Sequence, residues 1–290
     1  MLNMNNWIII ICIVLAALLL LAVACVIAFL LLLAIFYVFS VKGRRNHKGM
    51  ESLKSWKYAH RGLHDAEKPE NSMAAFEAAL KKGYGIELDI HLTKDNELAV
   101  THDHTLERCT DRTGTVEEMT LAELQQCHLG GTQEVIPSFR QVLELFDGKA
   151  PMIIELKSTG KNYAELTDRV MEELKGYSGL YFLDSFDPNC LKHLKKNYPE
   201  VIRGQLSDNY LKNKVDHPLH LRFAMTYMLA NFMFQPDFIA YRFEYRKTLS
   251  NFLIRKLWKM YAVTWTLKNQ ADFDTAVSEG WIPIFEGFEP

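Results

Sequence analysis

The chain has 290 residues, with 33 Lys and Arg against 35 Asp and Glu, so its formal net charge is -2 at pH 7. This near-neutral balance gives no reason to expect a polyanionic partner, and we predict no binding to nucleic acid. The five cysteines are odd in number and scattered, which is typical of a protein in a reducing compartment. The length allows one large domain or two small ones, and the sequence specifies no oligomeric state.

Residues 1–41 are predicted to be a transmembrane anchor. From Trp7 to Phe39 the sequence is an almost unbroken apolar run without Gly or Pro, and the first charged side chain is Lys42. About 20 such residues already cross a bilayer. A cleaved signal peptide would have a far shorter apolar core, so we expect one long helix that spans the membrane.

Residues 42–55 are predicted to be a basic linker. Lys42, Arg44, Arg45 and Lys48 follow the apolar run, whereas no Lys or Arg precedes it. Because positive charge beside a membrane span is retained on the cytoplasmic side, we expect the N-terminus outside and the larger C-terminal part in the cytoplasm.

Residues 56–290 alternate short apolar runs with helical patterns, and an irregular stretch at 105–135 is predicted to be a small insertion. Eight strands separated by helices in roughly 235 residues are typical of a TIM (β/α)8 barrel, in the α/β class. Since few residues follow the last strand, the final barrel helix is expected to be missing or replaced. The predicted strands are Trp56–His60, Ile86–Ile90, Met152–Leu156, Leu180–Ser185, Val201–Leu206, Phe238–Arg242, Tyr261–Thr266 and Ile282–Phe285.

The stretch from Gly83 to Asp103 places acidic side chains where a strand normally carries apolar ones. Glu87 and Asp89 are two residues apart, so on a strand both project from the same face. A turn centred on Asp95-Asn96 would place His102 opposite Asp89 on a paired strand. Two buried acids facing each other are costly unless a cation lies between them, so this stretch predicts a metal site with an imidazole at its edge.

Further chemistry is expected at the C-terminal ends of the strands, where barrel enzymes carry their active sites. Glu155 ends a predicted strand and would join Glu87 and Asp89 in an oxygen-rich site for Mg²⁺ or Ca²⁺. Trp265 lies near another strand end.

Cationic and titratable side chains surround this predicted metal site. Arg61 and Lys157 add positive charge, which suits an anionic group such as phosphate. His60 and His102 supply two imidazoles, enough for one general base and one general acid near neutral pH.

These residues belong to a series of short motifs that resembles the signature of the glycerophosphodiester phosphodiesterase family. The resemblance covers residues 58–266 in order, and Ser185-Phe186-Asp187 and Trp265-Thr266 are similar to the later family motifs. The earlier motifs are His60-Arg61-Gly62, Pro69-Glu70-Asn71, Glu87-Leu88-Asp89, Thr93-Lys94-Asp95, His102-Asp103 and Glu155-Leu156-Lys157.

The resemblance implies a TIM barrel with a small insertion and a metal-dependent hydrolysis of glycerophosphodiesters to glycerol 3-phosphate and an alcohol. It implies that Glu87, Asp89 and Glu155 bind the divalent metal, Mg²⁺ or Ca²⁺. His60 and His102 would then be the acid–base pair.

Four more residues receive roles from the same resemblance. Arg61 and Lys157 would hold the phosphate. Glu70 would orient the substrate or the metal shell, unless it only accompanies the start of a helix. Trp265 would form a wall against the substrate glycerol, although its residue type also fits the barrel core.

Two segments depart from the family pattern. Trp265-Thr266-Leu267-Lys268 replaces the usual Trp-Thr-Val-Asn, and Phe285-Glu286-Gly287-Phe288 replaces the usual Thr-Asp-x-Pro. Both lie near the glycerol and leaving-group end of the site in the family. The departures therefore leave the choice of substrate undetermined, but they do not affect the expected metal chemistry.

We therefore predict a membrane-anchored phosphodiesterase whose catalytic domain is cytoplasmic and acts at the surface of the bilayer. A lysophospholipase D-like release of a headgroup alcohol from lysophospholipids is the alternative within enzymes. A non-catalytic lipid-binding membrane protein is the alternative from another class. The aromatic and apolar run Leu219–Phe238 is either a buried barrel helix or an exposed lip that enters the bilayer.

Overall fold

The computed structural model describes residues 3–44, 47–213 and 215–290. Arg45, which contributed to the predicted orientation, lies outside the described residues. Helix α1 (Met4–Ser40) covers the predicted span as one continuous helix of 37 residues. Within the described ranges it is the one helix long and apolar enough to cross a membrane.

Eight parallel strands form a closed barrel, and a ninth short strand lies outside it. The strands are β1 (Tyr58–His60), β2 (Gly85–Leu92), β3 (Leu98–Val100), β4 (Met152–Leu156), β5 (Tyr181–Ser185), β6 (Arg203–Ser207), β7 (Phe238–Arg242), β8 (Tyr261–Leu267) and β9 (Ile282–Phe285). The ring closes because β1 pairs with β2 on one side and with β9 on the other, while β3 is antiparallel to β2. The predicted TIM barrel is confirmed.

Helices alternate with most of these strands on the outside of the barrel. Helix α2 (Met50–Leu53) precedes β1 and packs against the barrel interior. The others are α3 (Met73–Lys81), α4 (Leu121–Leu124), α5 (Phe139–Phe146), α6 (Tyr163–Glu173), α7 (Pro188–Asn197), α8 (Leu219–Thr226), α9 (Asn231–Phe234), α10 (Leu249–Phe252) and α11 (Gln270–Ser278). Ser72 caps α3 by accepting a hydrogen bond from the amide of Ala75.

Two predicted boundaries differ from the structure for local reasons. Strand β6, predicted to begin at Val201, begins at Arg203. The reason is that the amide of Val201 is used in a turn, where it bonds the carbonyl of Tyr198 at 3.1 Å. The sequence pattern of Asp208–Gln235 indicates a long helical and aromatic region, whereas the described residues of this range form only the short helices α8 and α9. Pro218 precedes α8, and its fixed φ favours a helix start at that point.

The core has an inner and an outer part, as expected for a barrel. Inside the ring, apolar side chains such as Ile153, Phe182 and Phe238 fill the interior, and Met50 and Leu53 of α2 pack against the same cluster. Between the ring and the helices lies a larger cluster that includes Ile86, Leu88, Ile154, Phe76 and Phe139. A Cβ at Gly204 would lie 2.2 Å from the Phe238 ring, so β6 requires glycine there.

The predicted register of the hairpin between β2 and β3 is wrong by one residue. Leu92 pairs with Leu98, and the amide of Thr101, not a group of His102, bonds the carbonyl of Asp89 at 3.1 Å. The loop has three residues between Thr93 and Glu97, because Asn96 adopts a left-handed conformation with φ of 62°. Such a loop adds one residue to the two-residue turn that the sequence suggested.

Residues 105–135 contain little regular structure beyond α4 and a single 3-10 turn at Val116–Glu118. They nevertheless have a hydrophobic cluster of their own, formed by Ala99, Leu106, Val116, Leu124, Cys127, Leu129 and Ile136. Helix α4 begins with a capping box in which the Thr120 hydroxyl and the Glu123 carboxylate bond each other's backbone amides. This packing fixes the segment beside the C-terminal ends of β2 and β3.

Candidate active site

The C-terminal ends of the barrel strands surround a cavity of about 1290 Å³. Asp89 and Lys157 ion-pair with each other at 3.0 Å beside its wall. The other predicted site residues line the cavity: His60, Arg61, Glu70, Glu87, His102, Glu155 and Trp265. The structure thus brings every predicted site residue to one end of the barrel.

Three buried carboxylates form the centre of the site. Asp89 on β2 and Glu155 on β4 are direct neighbours in the parallel register. Glu87 lies two residues earlier on β2 and projects from the same face as Asp89. One oxygen atom of each acid lies within 4.8 Å of the others. Three like charges at this distance in a buried site are unfavourable unless something compensates them.

The pKa values show how the acids respond to this crowding. Burial, reinforced by the charges of Asp89 and Glu155, raises the pKa of Glu87 well above its ordinary value. Burial also raises the pKa of Glu155 to about 7, although Lys157 opposes the shift. Burial alone would raise the pKa of Asp89 too, but Lys157 and other cationic neighbours outweigh it, so this pKa is lowered.

This donor set fits a hard divalent cation. Carboxylate oxygens are the ligands that Mg²⁺ and Ca²⁺ prefer in proteins. Within the described part of the chain, the buried Asp89 Oδ1 has no partner besides its ion pair with Lys157, so it keeps a lone pair that can take a metal. A cation held by the three acids would also allow Glu87 and Glu155 to ionise together.

Basic and amide groups hold Asp89 in place. Lys157 Nζ lies 3.0 Å from Asp89 Oδ1 and 2.7 Å from Glu155 Oε1. Asn71 Nδ2 donates to Asp89 Oδ2 at 2.9 Å, and Arg61 Nε lies 3.4 Å from the same oxygen. Arg61 and Asn71 both adopt left-handed backbone conformations, with φ of 54° and 56°. Such conformations are uncommon for these residue types and frequently mark functional sites.

Glu70 connects two guanidinium groups at the cavity wall. Arg61 Nη1 donates to Glu70 Oε1 at 2.7 Å, and Arg108 donates to both Glu70 oxygens at 2.8 and 2.9 Å. Burial raises the pKa of Glu70, but Arg108 and Arg61 outweigh this effect and lower it to about 2. Glu70 therefore stays ionised and fixes the direction of both arginines.

His60 lies at the end of β1, between two acids. Its Nδ1 donates to Glu286 Oε2 at 2.6 Å, and its Nε2 lies 3.9 Å from Glu87 Oε2. Burial lowers the pKa of His60, and the hydrogen bond to Glu286 opposes that shift only in part. The imidazole is thus held in one orientation and neutral at pH 7.

His102, in the loop that follows β3, is held in a similar way. Its Nδ1 donates to Asp103 Oδ1 at 2.6 Å, and Asp103 in turn ion-pairs with Arg108. Burial lowers the pKa of His102 to about 4, with the charge of Asp89 opposing the shift. Both histidines that the sequence indicated therefore have an ionised carboxylate on Nδ1.

Trp265 forms part of the cavity wall. Its ring packs edge-on against Phe186 with centroids 5.8 Å apart, and the Arg242 guanidinium lies 5.2 Å from its centroid. Its indole Nε1 is buried and has no hydrogen-bond partner among the residues that the structure describes. A ligand oxygen in the cavity could satisfy this donor.

Three further cavity residues were not assigned a role from the sequence. Asp184 on β5 is the register neighbour of Glu155 and is buried with its pKa raised well above the ordinary value by burial. Strand parity could have revealed it, since it shares a face with Phe182. Arg108 lies in an irregular segment without any periodic signal. Glu286 was recognised only as part of a departure from the family pattern.

His91 supports the site from behind. It has the same strand parity as Glu87 and Asp89, but its Nδ1 bonds Glu117 Oε1 at 2.7 Å and its Nε2 lies 3.2 Å from the carbonyl of His102. This contact holds the main chain of His102.

Comparison with known proteins identifies relatives of this chain. A model of the glycerophosphoryl diester phosphodiesterase family matches residues 60–286. A glycerophosphodiester phosphodiesterase from Caldanaerobacter subterraneus is 36% identical over 165 residues, which cover 53% of this chain and 67% of that protein. Another from Bacillus altitudinis is 38% identical over 173 residues, which cover 53% of this chain and 70% of that protein.

Solved structures share the architecture. A phosphodiesterase from Oleispira antarctica in complex with the product sn-glycerol-3-phosphate aligns with a TM-score of 0.68 at 21% identity, over 81% of this chain and 94% of that chain. A glycerophosphodiester phosphodiesterase from Thermotoga maritima aligns with a TM-score of 0.61 at 22% identity, over 79% and 92%. At these identities the likeness shows the fold alone.

The barrel, together with these relatives, defines a class of enzyme, the phosphoric diester hydrolases built on a TIM barrel. Within that class the chain belongs to the glycerophosphoryl diester phosphodiesterase family, as the sequence motifs predicted.

Proposed function

We propose that this enzyme hydrolyses glycerophosphodiesters to glycerol 3-phosphate and an alcohol at a membrane surface, in a reaction that depends on a divalent cation. The observation that carries the proposal is that three buried carboxylates share one cavity with two histidines, each of which has an ionised acid on Nδ1. Family membership supports the same substrate class.

Glu87, Asp89 and Glu155 hold the cation, which is Mg²⁺ or Ca²⁺. When bound, the ion neutralises charge on the nonbridging oxygens of the phosphodiester. The raised pKa values of Glu87 and Glu155 support this assignment, because these two acids gain most from a cation.

Arg61 and Lys157 bind the phosphate. Arg61 is directed by Glu70, and its guanidinium offers further N–H donors in a planar arrangement that suits phosphate oxygens. Lys157 supplies a point charge from the opposite side of Asp89. Trp265 contacts the glycerol part of the substrate, which its unpaired indole N–H and its place in the cavity wall support.

His60 and His102 exchange the protons. One histidine removes a proton from the attacking oxygen, which is water or the neighbouring glycerol hydroxyl, as that oxygen bonds to phosphorus. The other histidine must carry a proton on Nε2 when the substrate is bound, which the negative charge of the phosphodiester favours, and it donates that proton to the alkoxide as the bond from phosphorus to the alcohol breaks. If the glycerol hydroxyl is the attacking group, water then opens the resulting cyclic phosphate to glycerol 3-phosphate, with the two proton transfers reversed. In each ring the Nδ1 proton is directed to a carboxylate, so Nε2 is the atom that exchanges a proton.

The anchor holds this chemistry at the bilayer. Helix α1 spans the membrane with the N-terminus outside and the catalytic domain in the cytoplasm, a placement supported by the basic residues that follow the span. Confining the enzyme to the membrane raises its effective concentration toward substrates derived from lipid.

A second candidate activity is the release of a headgroup alcohol from lysophospholipids, which leaves the acyl chain on the product. One wall of the cavity favours it, because several apolar side chains continue the site away from the acids. They are Leu206, Leu221, Ala224, Met225, Met228 and Phe234. An acyl chain could lie against this wall while the phosphate remains beside Arg61.

Product release by the full-length enzyme in mixed micelles tests the proposal. We expect glycerol 3-phosphate from glycerophosphodiesters with Mg²⁺ or Ca²⁺, none with EDTA, and none from the His60→Ala variant. Lysophosphatidate from lysophospholipids under the same conditions would favour the second activity. If no substrate were turned over although metal bound, a non-catalytic lipid-binding role would replace both.

A further inference from the structure

The end of α1 is packed on the barrel rather than separated from it by a flexible tether. The Tyr37 hydroxyl lies 2.7 Å from the Ser250 hydroxyl, and Trp258 Nε1 donates to the carbonyl of Val38 at 2.8 Å. Phe39 also packs on Trp258, with ring centroids 5.5 Å apart. The last turn of the helix is therefore fixed on the catalytic domain.

The residues after the helix continue this contact to the N-terminal ends of the strands. The amide of Arg44 bonds the carbonyl of Pro236 at 2.8 Å, and its guanidinium makes two 2.6 Å bonds to Asp237. Asp237 immediately precedes β7, and Met260, which accepts a hydrogen bond from the amide of Gly43, immediately precedes β8. The chain at 43–44 thus lies at the end of the barrel opposite the cavity.

The preceding turn of α1 lies closer to the catalytic end. Tyr37 packs on Tyr227, which follows α8. The C-terminal part of α8 is level with the C-terminal end of β6, because the Ser207 hydroxyl donates to the carbonyl of Met225 at 2.8 Å. Arg44 therefore lies at the N-terminal ends of the strands, and Tyr37, earlier in the chain, lies nearer their C-terminal ends. The membrane span precedes Tyr37 and so continues on the side of the barrel that holds the catalytic cavity.

No polar spacer separates the span from this docked turn. Trp7–Phe39 contains no charged residue, and Phe36 and Phe39 are still exposed where the helix meets the domain. At about 1.5 Å per residue this run is about 50 Å long, whereas the hydrocarbon core is about 30 Å thick. The run is longer than the core and stays apolar up to Phe36, so a tilted helix can bring the interfacial region to the level of Phe36 without exposing a polar segment to lipid.

Exposed apolar side chains lie on α8 and α10, beside the residues Tyr227 and Ser250 that Tyr37 of α1 contacts. We call this set the collar, and it lies on α8 and α10, two elements joined by a bond of 2.9 Å from the Ser250 hydroxyl to the carbonyl of Tyr227. Its members are Leu219, Leu221, Phe223, Leu249 and Phe252, with exposed fractions between 45% and 69%. An exposed apolar patch of this kind marks a surface that binds something.

We propose that the collar inserts into the interfacial region of the same bilayer that α1 spans, so that the mouth of the catalytic cavity opens at the lipid surface. We choose the bilayer as the partner because the collar borders the lipid-facing helix α1 and is, like it, apolar and exposed. Leu221 belongs both to the collar and to the cavity wall, so the apolar surface leads from the bilayer into the site. The alternative that Leu219–Phe238 is a buried barrel helix is wrong for its first helix, α8, in which only Thr226 is buried.

Fluorescence of site-specific labels tests this surface without any activity measurement. A polarity-sensitive label is placed at Phe223→Cys or, as the matched control, at Leu180→Cys, in full-length protein whose Cys12, Cys25 and Cys109 are replaced by Ala. Leu180 is also an exposed apolar residue, but it precedes β5 at the N-terminal end of the barrel. In phosphatidylcholine vesicles, lipids carrying a nitroxide quencher should quench the label at 223 several-fold more than the label at 180.

Equal quenching at both positions would overturn the proposal. A blue-shifted emission at 223 without quenching by the lipid would also overturn it, because that result indicates a protein partner such as a second copy of the chain. Either outcome would be obtained whether or not the enzyme hydrolyses a glycerophosphodiester.

A kinetic comparison provides the second test and rests on the proposed function. In the Phe223→Asp/Phe252→Asp variant, the apparent KM for a phosphodiester lipid in vesicles should rise about 10-fold, since two charged residues weaken interfacial binding. Its kcat/KM for a water-soluble glycerophosphodiester should equal that of the wild type. The Leu180→Asp variant should match the wild type in both the apparent KM for the lipid and the kcat/KM for the soluble substrate. A parallel loss on both substrates, or no loss on either, would contradict the collar. If the wild type itself were inactive, the proposed function would fail while the fluorescence result still decided the surface.

Discussion

Glu286 accepts a hydrogen bond from His60, with 2.6 Å between Oε2 and Nδ1. This bond, which outweighs burial, lowers the pKa of Glu286 to about 2, so the carboxylate is ionised at neutral pH and can only accept. The proton of the neutral imidazole therefore resides on Nδ1, and Nε2 remains for proton exchange. The other oxygen of Glu286 lies 3.1 Å from Lys268. The two segments that depart from the family pattern thus contact each other beside a predicted catalytic histidine.

Replacing Glu286 by Gln should reduce kcat by about 10- to 100-fold, a smaller loss than removal of a proton-transfer group itself. The amide cannot stabilise an imidazolium, and it no longer selects the tautomer of His60. The KM should change little, because Glu286 does not contact the phosphate-binding residues. Steady-state kinetics on a glycerophosphodiester measure both values.

Two variants control for this effect. Glu286→Asp should retain part of the activity, since it keeps the charge. Lys268→Gln should remain within about 2-fold of the wild type, because Lys268 is largely exposed and an ion pair with an exposed partner contributes little. Equal losses in Glu286→Gln and Lys268→Gln would show that Glu286 acts only through the ion pair and not through His60.

His60→Ala and His102→Ala should each lower kcat by about 10²- to 10⁴-fold, because each removes one proton transfer. His193→Ala is a matched control, since this histidine also bonds a carboxylate, Asp168, at 2.7 Å but lies on the outer helix α7. The double variant should lose little beyond the larger single loss, as groups that act as a unit are not additive. Activity that survives in His102→Ala would remove His102 from the acid–base pair.

Sequence reasoning predicted the parts of this site that depend on local pattern. The period of two along a strand placed Glu87 with Asp89, and the rule that barrel chemistry lies at strand ends added Glu155. His102 was expected for an incorrect reason: the register was wrong by one residue, and the histidine reaches the site from the loop after β3.

Long-range contacts account for what the sequence did not predict. Glu286 reaches His60 across 226 positions because β9 pairs with β1 when the barrel closes, and no local signal records that closure. Arg108 enters through an irregular segment whose fold depends on its own small hydrophobic cluster. The packing of Tyr37 on the barrel likewise has no periodic signature.

The pH dependence of stability should identify Glu155 as an acid that is strained without metal. Its pKa is raised to about 7 by burial, against about 4.3 in an unfolded chain. At a pH below the unfolded pKa, Glu155 is protonated in both the folded and the unfolded state, so it costs the fold no stability. Between the two values only the unfolded state releases its proton, so stability falls as pH rises and the loss is complete above the folded pKa. In EDTA, the Glu155→Gln variant should therefore gain Tm relative to the wild type between pH 5 and pH 8, on the order of 5 °C.

Metal should reverse this relation. Saturating Mg²⁺ or Ca²⁺, at about 100 times Kd, should stabilise the wild type by about 2.7 kcal/mol and stabilise Glu155→Gln far less. Glu173→Gln serves as the control, because Glu173 is also a buried acid with a raised pKa but pairs with Arg169 on the outer helix α6. A metal-induced rise in Tm that is the same in all three proteins would place the cation elsewhere.

Arg44 should stabilise the catalytic domain itself, although it belongs to the basic segment that follows the span. Its guanidinium pairs with Asp237, whose side chain is only 1% exposed and also accepts a hydrogen bond from the amide of Arg203. Arg44→Ala leaves that buried charge with one partner fewer, so the free energy of unfolding should fall by about 3 kcal/mol. Lys48→Ala removes an exposed basic residue from the same segment and should leave the Tm unchanged.

Thermal unfolding of the full-length variants in detergent measures this difference. Arg44→Ala/Asp237→Asn should recover part of the loss, because removing both charges leaves no ion uncompensated. Since Arg44 also fixes the end of α1 on the barrel, Arg44→Ala should weaken the orientation of the catalytic domain toward the bilayer. Lipid quenching of a label at Phe223→Cys should then decrease in Arg44→Ala but not in Lys48→Ala. If both variants had the same Tm and the same quenching as the wild type, the contact between anchor and barrel would not hold the domain in place.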